Sequence, residues 1–327
     1  MLACSRLGSP MSALLNLLKD GRFHSGQALG EALGISRSAV WKQLQQLQSE
    51  LDIPIHKVRG RGYQLADPVS LLDADEIGAN VPPEWAVRVL DCTDSTNAQA
   101  LRAISEGVSM PLLVLAERQT AGRGRRGRVW VSPYAENLYY SLALRMEGGM
   151  ARIEGLSLVV GLAVLGALRK EGVQDAGLKW PNDVLVGGRK LAGILLELVG
   201  DPGDVCHVVI GIGVNVNMKT AESVDQDWTS VRLQAGRLVD RNQLAASISL
   251  KLQAELAKHA RLGFAQMREE WERHHLWQGK TVTLISGARQ VQGTALGVDG
   301  QGALRLEVQG QEQVFSGGEL SLRLSDG

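Results

Sequence analysis

The stretch Glu117-Arg118-Gln119-Thr120-Ala121-Gly122-Arg123-Gly124-Arg125-Arg126-Gly127-Arg128-Val129-Trp130 constrains this chain more than any other. Glycine lets backbone approach a ligand closely and adopt positive φ. Arginine adds planar, permanently charged forks suited to carboxylate and phosphate oxygens. A loop carrying both is built to close over an anion. Gly122 to Gly127 spell G-x-G-x-x-G, and Val129 extends the match to the kinase form. Context excludes both folds. A dinucleotide fold needs a helix after the glycines, whereas Val129-Trp130-Val131 and Leu138 to Leu144 read as strands. A kinase also needs V-A-I-K, H-R-D and D-F-G, and the sequence has none of them. Taken alone, the stretch also fits a basic surface loop that touches nucleic acid.

The length of 327 residues suggests about two or three domains. Hydrophobic residues at 44% and charged residues at 21% suit a soluble globular protein. The formal net charge is zero, but its distribution is uneven. Up to Ala66 there are eight Lys/Arg against four Asp/Glu, which leaves a basic head of +4 on a body of −4. Cys4, Cys92 and Cys206 are few, odd in number and unclustered, the pattern expected in a reducing compartment. No stretch approaches about 18 uninterrupted apolar residues. A cytoplasmic protein without a membrane partner is expected.

In the head, Met11 to Lys19 carries apolar residues at helical spacing. Ser25 can cap a second helix from Gly26 to Leu33, Gly34 supplies a turn, and Ser36 can cap a third from Arg37 to Leu47. The third has an apolar stripe of Val40, Leu44 and Leu47. This is helix-turn-helix patterning. Ile55 to Leu65 then reads as a β-hairpin with Arg59 and Arg61 at its tip, so the head is expected to be winged. Ser36, Arg37, Ser38 and Lys42 would face the major groove of an operator, and the wing would reach phosphates. A helical docking domain without DNA is the alternative, which the basic charge disfavours.

The central body begins after Asp67-Pro68. Trp85 to Leu90 reads as a strand, followed by Asp94-Ser95-Thr96-Asn97, where Asn97 is placed to cap a helix. Small polar groups between a strand and a helix either cap or hold ligand. Pro111 to Glu117 is a second strand that delivers the chain into the glycine–arginine loop, and Ile153 to Lys170 reads as a buried helix. Leu178 to Val186 and Lys190 to Leu198 read as neighbouring strands about Gly187-Gly188, each carrying a lysine beside a β core. Ammonium groups avoid such places unless paired or bound to an anion. Asn215 is expected inside the strand Val208 to Asn217, where it either bonds backbone or faces the same ligand.

Five motifs now stand in order: Ser95-Thr96-Asn97, Gly122 to Gly127, Lys179-Trp180-Pro181-Asn182-Asp183, Lys190 to Leu195, and Gly211-Ile212-Gly213-Val214-Asn215. With the winged head, the chain from about Met11 resembles the bifunctional biotin–protein ligases that also repress the biotin operon. The resemblance implies that Ser95, Thr96, Asn97, Gln119, Arg123, Gly124, Arg125 and Lys190 surround biotin and its activated carboxyl. It places Trp130, Lys179, Asn182, Asp183 and Asn215 on the nucleotide and Mg²⁺ side, with Asp183 as the metal residue. Arg125, Lys190 and Lys179 are the expected catalysts. The implied reaction joins biotin to AMP with release of pyrophosphate, then transfers biotin to a lysine of the biotin carboxyl carrier protein of acetyl-CoA carboxylase. The adenylate-bound form would dimerise and bind operator DNA.

In the tail, Asn242 to Leu262 reads as an amphipathic helix, Met267 to Leu276 extends it or forms another, and His274-His275 is expected at the surface. Gly279-Lys280-Thr281 ends like a Walker loop, but His274 stands where its first glycine is needed. Val282 to Ile285, Val291 to Leu296, Ala303 to Val308 and Leu320 to Leu324 have strand periodicity. The resemblance implies an SH3-like barrel here, carried by Gly317-Gly318-Glu319-Leu320-Ser321-Leu322. The expected fold is α+β and multidomain: a winged helix-turn-helix (1–66), a mixed-sheet ligase domain (67–276) and a small β-barrel (277–327). The alternative function is a ligand-sensing repressor that binds a small anion without chemistry.

Overall fold

The computed structural model describes residues 10–51, 53–147, 153–200, 206–221, 223–316 and 320–325. The head contains α1 (Pro10–Leu18), α2 (Gly26–Leu33), α3 (Arg37–Leu51), β1 (Ile55–Val58) and β2 (Gly62–Leu65). Ser25 caps α2 by accepting from Ala28 N, and Gly34 ends it at φ 66°. Ser36 Oγ accepts from Ala39 N at 3.2 Å and so starts α3. β1 and β2 pair antiparallel with Val58 opposite Gly62. The head is therefore a winged helix-turn-helix, as its spacing of caps and apolar residues predicts. The first nine residues lie outside the described ones.

After α4 (Ala74–Gly78), the body is built on a seven-stranded mixed sheet in the order β3-β4-β5-β9-β8-β7-β6. Its strands are β3 (Ala86–Thr93), β4 (Leu112–Gln119), β5 (Leu138–Met146), β6 (Gly177–Lys179), β7 (Asp183–Val186), β8 (Arg189–Gly200) and β9 (Cys206–Val214). Only β3 and β4 run parallel among these pairs. Helix α5 (Thr96–Ser105) crosses between them, and α6 (Leu156–Lys170) packs beneath the sheet with α8 (Arg241–Leu262). A short helix α7 (Val231–Ala235) leads into α8.

Strand alternation divides the sheet's faces. Leu113, Leu115, Leu142, Ile210, Ile212 and Ile194 point into the large core shared with α6 and α8. The intervening residues face the other way, since side chains alternate along a strand. At one end of this second face Leu112, Val114, Ala143 and Val209 pack with Ala100 and Ala103 of α5. Further along it the residues become small: Ser141 pairs with Gly211, Tyr139 with Gly213, and Gly213 with Gly193. A recess therefore opens in a sheet that is otherwise covered on both faces.

The tail follows α9 (Arg268–Glu272) as a five-stranded antiparallel sheet in the order β13-β12-β11-β10-β14. These are β10 (Thr281–Ser286), β11 (Arg289–Val298), β12 (Leu304–Val308), β13 (Gln311–Phe315) and β14 (Leu320–Leu324). No ladder joins β13 to β14 among the described residues. Gly317, Gly318 and Glu319 of the expected barrel motif lie outside them. Strand β13 carries no alternating pattern in the sequence, because four of its five residues are exposed and Val314 is among them.

Several local readings differ from the fold. Val129 to Val131 is not a strand; Val129 makes a single bridge back to Arg123, while Trp130 turns inward. Ser95, not Asn97, caps α5, accepting from Ala98 N. The stretch Leu178 to Val186 is two strands, because Pro181 has no N–H to continue a ladder. Lys179 and Lys190 therefore sit on β6 and β8, separated by β7. Strand β9 stops at Val214, leaving Asn215 just beyond it. The second tail helix shortens to Arg268–Glu272. His275 is buried rather than superficial, stacked on Trp271 with ring centres 4.7 Å apart. His274 is half-buried against Arg169. Among the described residues no helix is long and apolar enough to cross a membrane.

Candidate active site and the N-terminal head

The recess on the sheet's second face is a cavity of about 650 Å³. Ser95, Thr96, Asn97, Gln119, Arg123, Gly124, Arg125, Trp130, Lys179, Asn182, Asp183, Lys190 and Asn215 all line it. Four elements far apart in sequence deliver them: the start of α5, the loop after β4, the β6–β7 turn and the strand pair β8–β9.

One end is neutral and rich in hydrogen bonds. Thr96 N and Oγ1 lie 2.8 and 3.1 Å from Gln119 Oε1. Ser141 Oγ is 2.7 Å from Thr96 Oγ1 and 2.5 Å from Asn97 Oδ1. Asn97 Nδ2 donates to Glu197 at 2.6 Å, and Arg123 pairs with the same carboxylate at 3.3 Å. Asn97 lies directly over Gly211, where an added Cβ would come within 2.4 Å of its Oδ1. Ser141 and Glu197 were not singled out from sequence. The signal available was a serine inside the apolar strand Leu138 to Leu144 and a glutamate inside Leu191 to Leu198.

The other end is cationic. Lys190 Nζ stands 2.8 Å from Asp183 Oδ1, and Lys179 Nζ 3.3 Å from Oδ2. Burial opposes ionisation of Asp183, but the two ammonium groups outweigh it and hold the carboxyl below its usual range. Burial lowers Lys179, and Asp183 offsets part of that effect. Two lysines around one carboxylate leave a net positive charge facing the cavity, which suits phosphate oxygens. Asp183 pairs in charge with both lysines, yet its buried Oδ1 accepts no hydrogen bond among the described residues, and no three His, Cys, Asp or Glu side chains gather to hold a metal among them. Asp183 is thus the carboxylate that would face a Mg²⁺ carried in with ATP, since that ion takes one or two protein carboxylates beside phosphate oxygens.

Arg125 spans the mouth. Its Nη1 donates to Asn182 Oδ1 at 3.0 Å and its Nη2 to the Leu320 carbonyl of β14 at 3.3 Å. Burial lowers its pKa. Leu320, Ser321 and Leu322 thus bring the tail sheet to the cavity's wall. Trp130 lies over Gly213, where a Cβ would meet its ring at 2.5 Å, and Lys190 Nζ is 5.6 Å from the ring centre. Its buried indole N–H has no hydrogen-bond partner among the described residues, which leaves a donor for a ligand. Asn215 donates to the carbonyls of Lys190 and Thr229 at 3.3 and 3.1 Å. It fixes backbone and lines the cavity at once. Asp225 and Trp228 from the segment after β9 also line it; sequence periodicity gave no hint of them.

In the head, Ser36, Arg37, Ser38 and Lys42 are exposed on the first half of α3. Ser36 is committed to capping and bonds Ser38 Oγ at 2.9 Å. Trp41 on the same helix is 42% exposed, a large apolar group that sequence reading passed over. At the wing tip Arg59 is exposed, while the Arg61 guanidinium stacks 4.1 Å over Phe23.

Comparison with known proteins gives three consistent matches. Residues 89–215 match the Biotin/lipoate A/B protein ligase family, residues 11–64 an HTH domain, and residues 279–323 the Biotin protein ligase C terminal domain. The Bifunctional ligase/repressor BirA of Salmonella typhimurium is 43% identical over 96% of this chain and 97% of its own length. That of Bacillus subtilis is 33% identical over 90% of this chain and 92% of its own. The Aquifex aeolicus biotin protein ligase solved with biotin and ATP superposes with a TM-score of 0.64 at 29% identity. It covers 73% of this chain and 99% of its own.

Proposed function

The chain belongs to the bifunctional biotin–protein ligase/repressor family, and on that premise we propose how its residues divide the work. It activates biotin with ATP and transfers biotin to a lysine of the biotin carboxyl carrier protein of acetyl-CoA carboxylase. Its winged head binds operator DNA and represses transcription. The observation that carries the reading is one cavity with a neutral, hydrogen-bonding end over Gly211 and a cationic end beyond Gly213. Two residues along a strand span roughly 7 Å, so a ligand's neutral ring and its reacting carboxylate can occupy the two ends together.

Ser95, Thr96, Asn97 and Gln119 hold the biotin ring, and Arg123 and Gly124 close the loop over it. The biotin carboxylate oxygen attacks the α-phosphorus of ATP; the bond to the β-phosphate oxygen breaks and pyrophosphate leaves. Negative charge accumulates on the phosphoryl oxygens in that step, and fixed cations stabilise it best. Arg125, Lys190 and Lys179 are in place to do so. Trp130, Asn182 and Asn215 take the nucleotide. Mg²⁺ enters with ATP as part of the substrate, neutralising its phosphates, while Asp183 orients the two lysines. In the second step the acceptor lysine amine attacks the acyl carbon and AMP leaves. Adenylate-dependent dimerisation would then present two heads to a symmetric operator. We place these events in the cytoplasm, where carrier protein and DNA are both accessible.

The test mixes the protein with biotin, MgATP and a carboxyl carrier domain and reads the acceptor's intact mass. Addition of one biotinyl group, lost when ATP is withheld, is expected. A protein that only sensed its ligand would bind biotin and operator yet leave the acceptor's mass unchanged, and that result would overturn the ligase reading.

A further inference from the structure

Glu197 does not line the cavity, yet it touches two residues that do. Its Oε2 accepts from Asn97 Nδ2 at 2.6 Å and its Oε1 stands 3.3 Å from Arg123 Nη2, with the glutamate side chain 25% exposed. On the far side of Asn97, Oδ1 lies 2.5 Å from Ser141 Oγ, and Ser141 Oγ lies 2.7 Å from Thr96 Oγ1. Asn97 is clamped from below by Gly211. A row of polar atoms therefore runs from a charge outside the cavity to a hydroxyl inside it.

We infer that Glu197 is a positioning residue that sets the hydrogen-bond polarity of the biotin pocket through Asn97, Ser141 and Thr96. The inference rests on the ligase reading. An asparagine amide has nearly the same shape when reversed, so its neighbours decide which end is the donor. A carboxylate only accepts. Glu197 therefore draws Nδ2 to itself and leaves Oδ1 facing Ser141. Because Oδ1 carries no proton, Ser141 must direct its single hydroxyl proton there. Ser141 and Thr96 have two hydroxyl protons for three contacts: Ser141 Oγ with Asn97 Oδ1 and with Thr96 Oγ1, and Thr96 Oγ1 with Gln119 Oε1 at 3.1 Å. With the Ser141 proton fixed on Oδ1, the shorter 2.7 Å contact takes the Thr96 proton in preference to the longer one to Gln119. Gln119 Oε1 keeps the Thr96 N–H at 2.8 Å. Thr96 Oγ1 is left with lone pairs toward the cavity, an acceptor matched to a ureido N–H. The same carboxylate holds the Arg123 guanidinium at the rim, ready for a competing carboxylate.

The test compares wild type, Glu197→Gln and the double variant Asn97→Asp/Glu197→Gln. Each is followed by pyrophosphate release against biotin concentration at saturating MgATP. Glutamine offers both N–H and C=O, so Asn97 is free to reverse and Thr96 loses its fixed acceptor character. Glu197→Gln should raise the biotin KM roughly tenfold or more while kcat stays within about threefold, because the adenylating cations are untouched. The double variant exchanges donor and acceptor across the same contact, restoring an acceptor-only group toward Ser141, and should recover most of the lost affinity. A purely structural role would lower the thermal midpoint and would not respond to that exchange. An unchanged biotin KM in Glu197→Gln, or a double variant no better than the single one, overturns the inference. A wild type that releases no pyrophosphate with biotin overturns the ligase reading, and this inference falls with it.

Discussion

Arg118 Nη1 donates to the main-chain carbonyl of Glu50 at 2.9 Å, joining the body to the last turn of α3. Arg118 precedes Gln119 on β4, so the strand that reaches the ligand pocket also holds the end of the helix that carries Arg37 and Lys42. The head's apolar cluster also includes Tyr134 and Ala135, from the segment that follows Trp130. Head and ligand loop therefore share one packing unit.

A guanidinium at a helix C-terminus meets unsatisfied carbonyls and the negative end of the helix dipole, an arrangement worth about 0.3–1 kcal/mol when partly exposed. Arg118→Ala should loosen the last turn of α3 without unfolding the body. Amide hydrogen exchange around residues 47–51 is expected to quicken several-fold, with the central sheet unaffected. Equal exchange in the two proteins would show that the contact does not hold the head.

The head and the course from β4 through the glycine–arginine loop to β5 were legible because each rests on local chemistry, whereas the five motifs that line one cavity stood out through the family resemblance. Caps, helical spacing and glycine clusters act over a few residues. What escaped needed tertiary pairing. Asn97 reads as a cap until α5 is set against β9, when its amide turns to Gly211 and Glu197. His275 reads as surface because nothing in its neighbours announces that Leu178 of β6 bridges to it. Trp130 looks like a strand residue, but the glycines at 193 and 213 make the room that draws it inward. The strand β13, exposed at four of its five positions, has no periodic signal to find.

His275 makes stability depend on pH. Burial pulls its pKa down from 6.5 to about 4, and the ring stacks on Trp271. The unfolded chain takes up a proton near 6.5 while the folded chain refuses it until about 4. Stability is therefore full above the unfolded value and lost as pH falls through this window, by up to roughly 3 kcal/mol. His275→Phe keeps an aromatic ring on Trp271 and removes the titration. Urea unfolding at pH 7 and pH 5 should show a smaller pH difference in the variant. An identical difference would place the titrating group elsewhere.

Asp183→Asn should move the alkaline limb of adenylation toward lower pH. Burial lowers the Lys179 pKa, and the Asp183 charge is the main influence opposing it. Asparagine keeps the shape but removes that charge, so Lys179 loses its proton at a still lower pH. Catalysis that needs the ammonium then falls earlier as pH rises. A pH–rate profile of pyrophosphate release decides the matter: coincident alkaline limbs would remove Lys179 from the charged set.

Gly211 and Gly213 stand two residues apart on one face of β9, beneath different parts of the cavity. A methyl at Gly211 would lie 2.4 Å from Asn97 Oδ1, and one at Gly213 would lie 2.5 Å from the Trp130 ring. Both contacts are too short to persist, so the covering side chain must move. Overpacking of this kind costs about 1–3 kcal/mol, and here the cost falls on whichever ligand the displaced group serves. Gly211→Ala displaces Asn97 and should raise the KM for biotin, with that for ATP little changed. Gly213→Ala displaces Trp130 and should raise the KM for ATP, with that for biotin little changed. Glycine-to-alanine changes in a strand otherwise favour the folded state slightly, so a general loss of structure is not expected, and circular dichroism melting provides the control. If both variants raise the same KM, the two ends of the cavity do not belong to separate substrates.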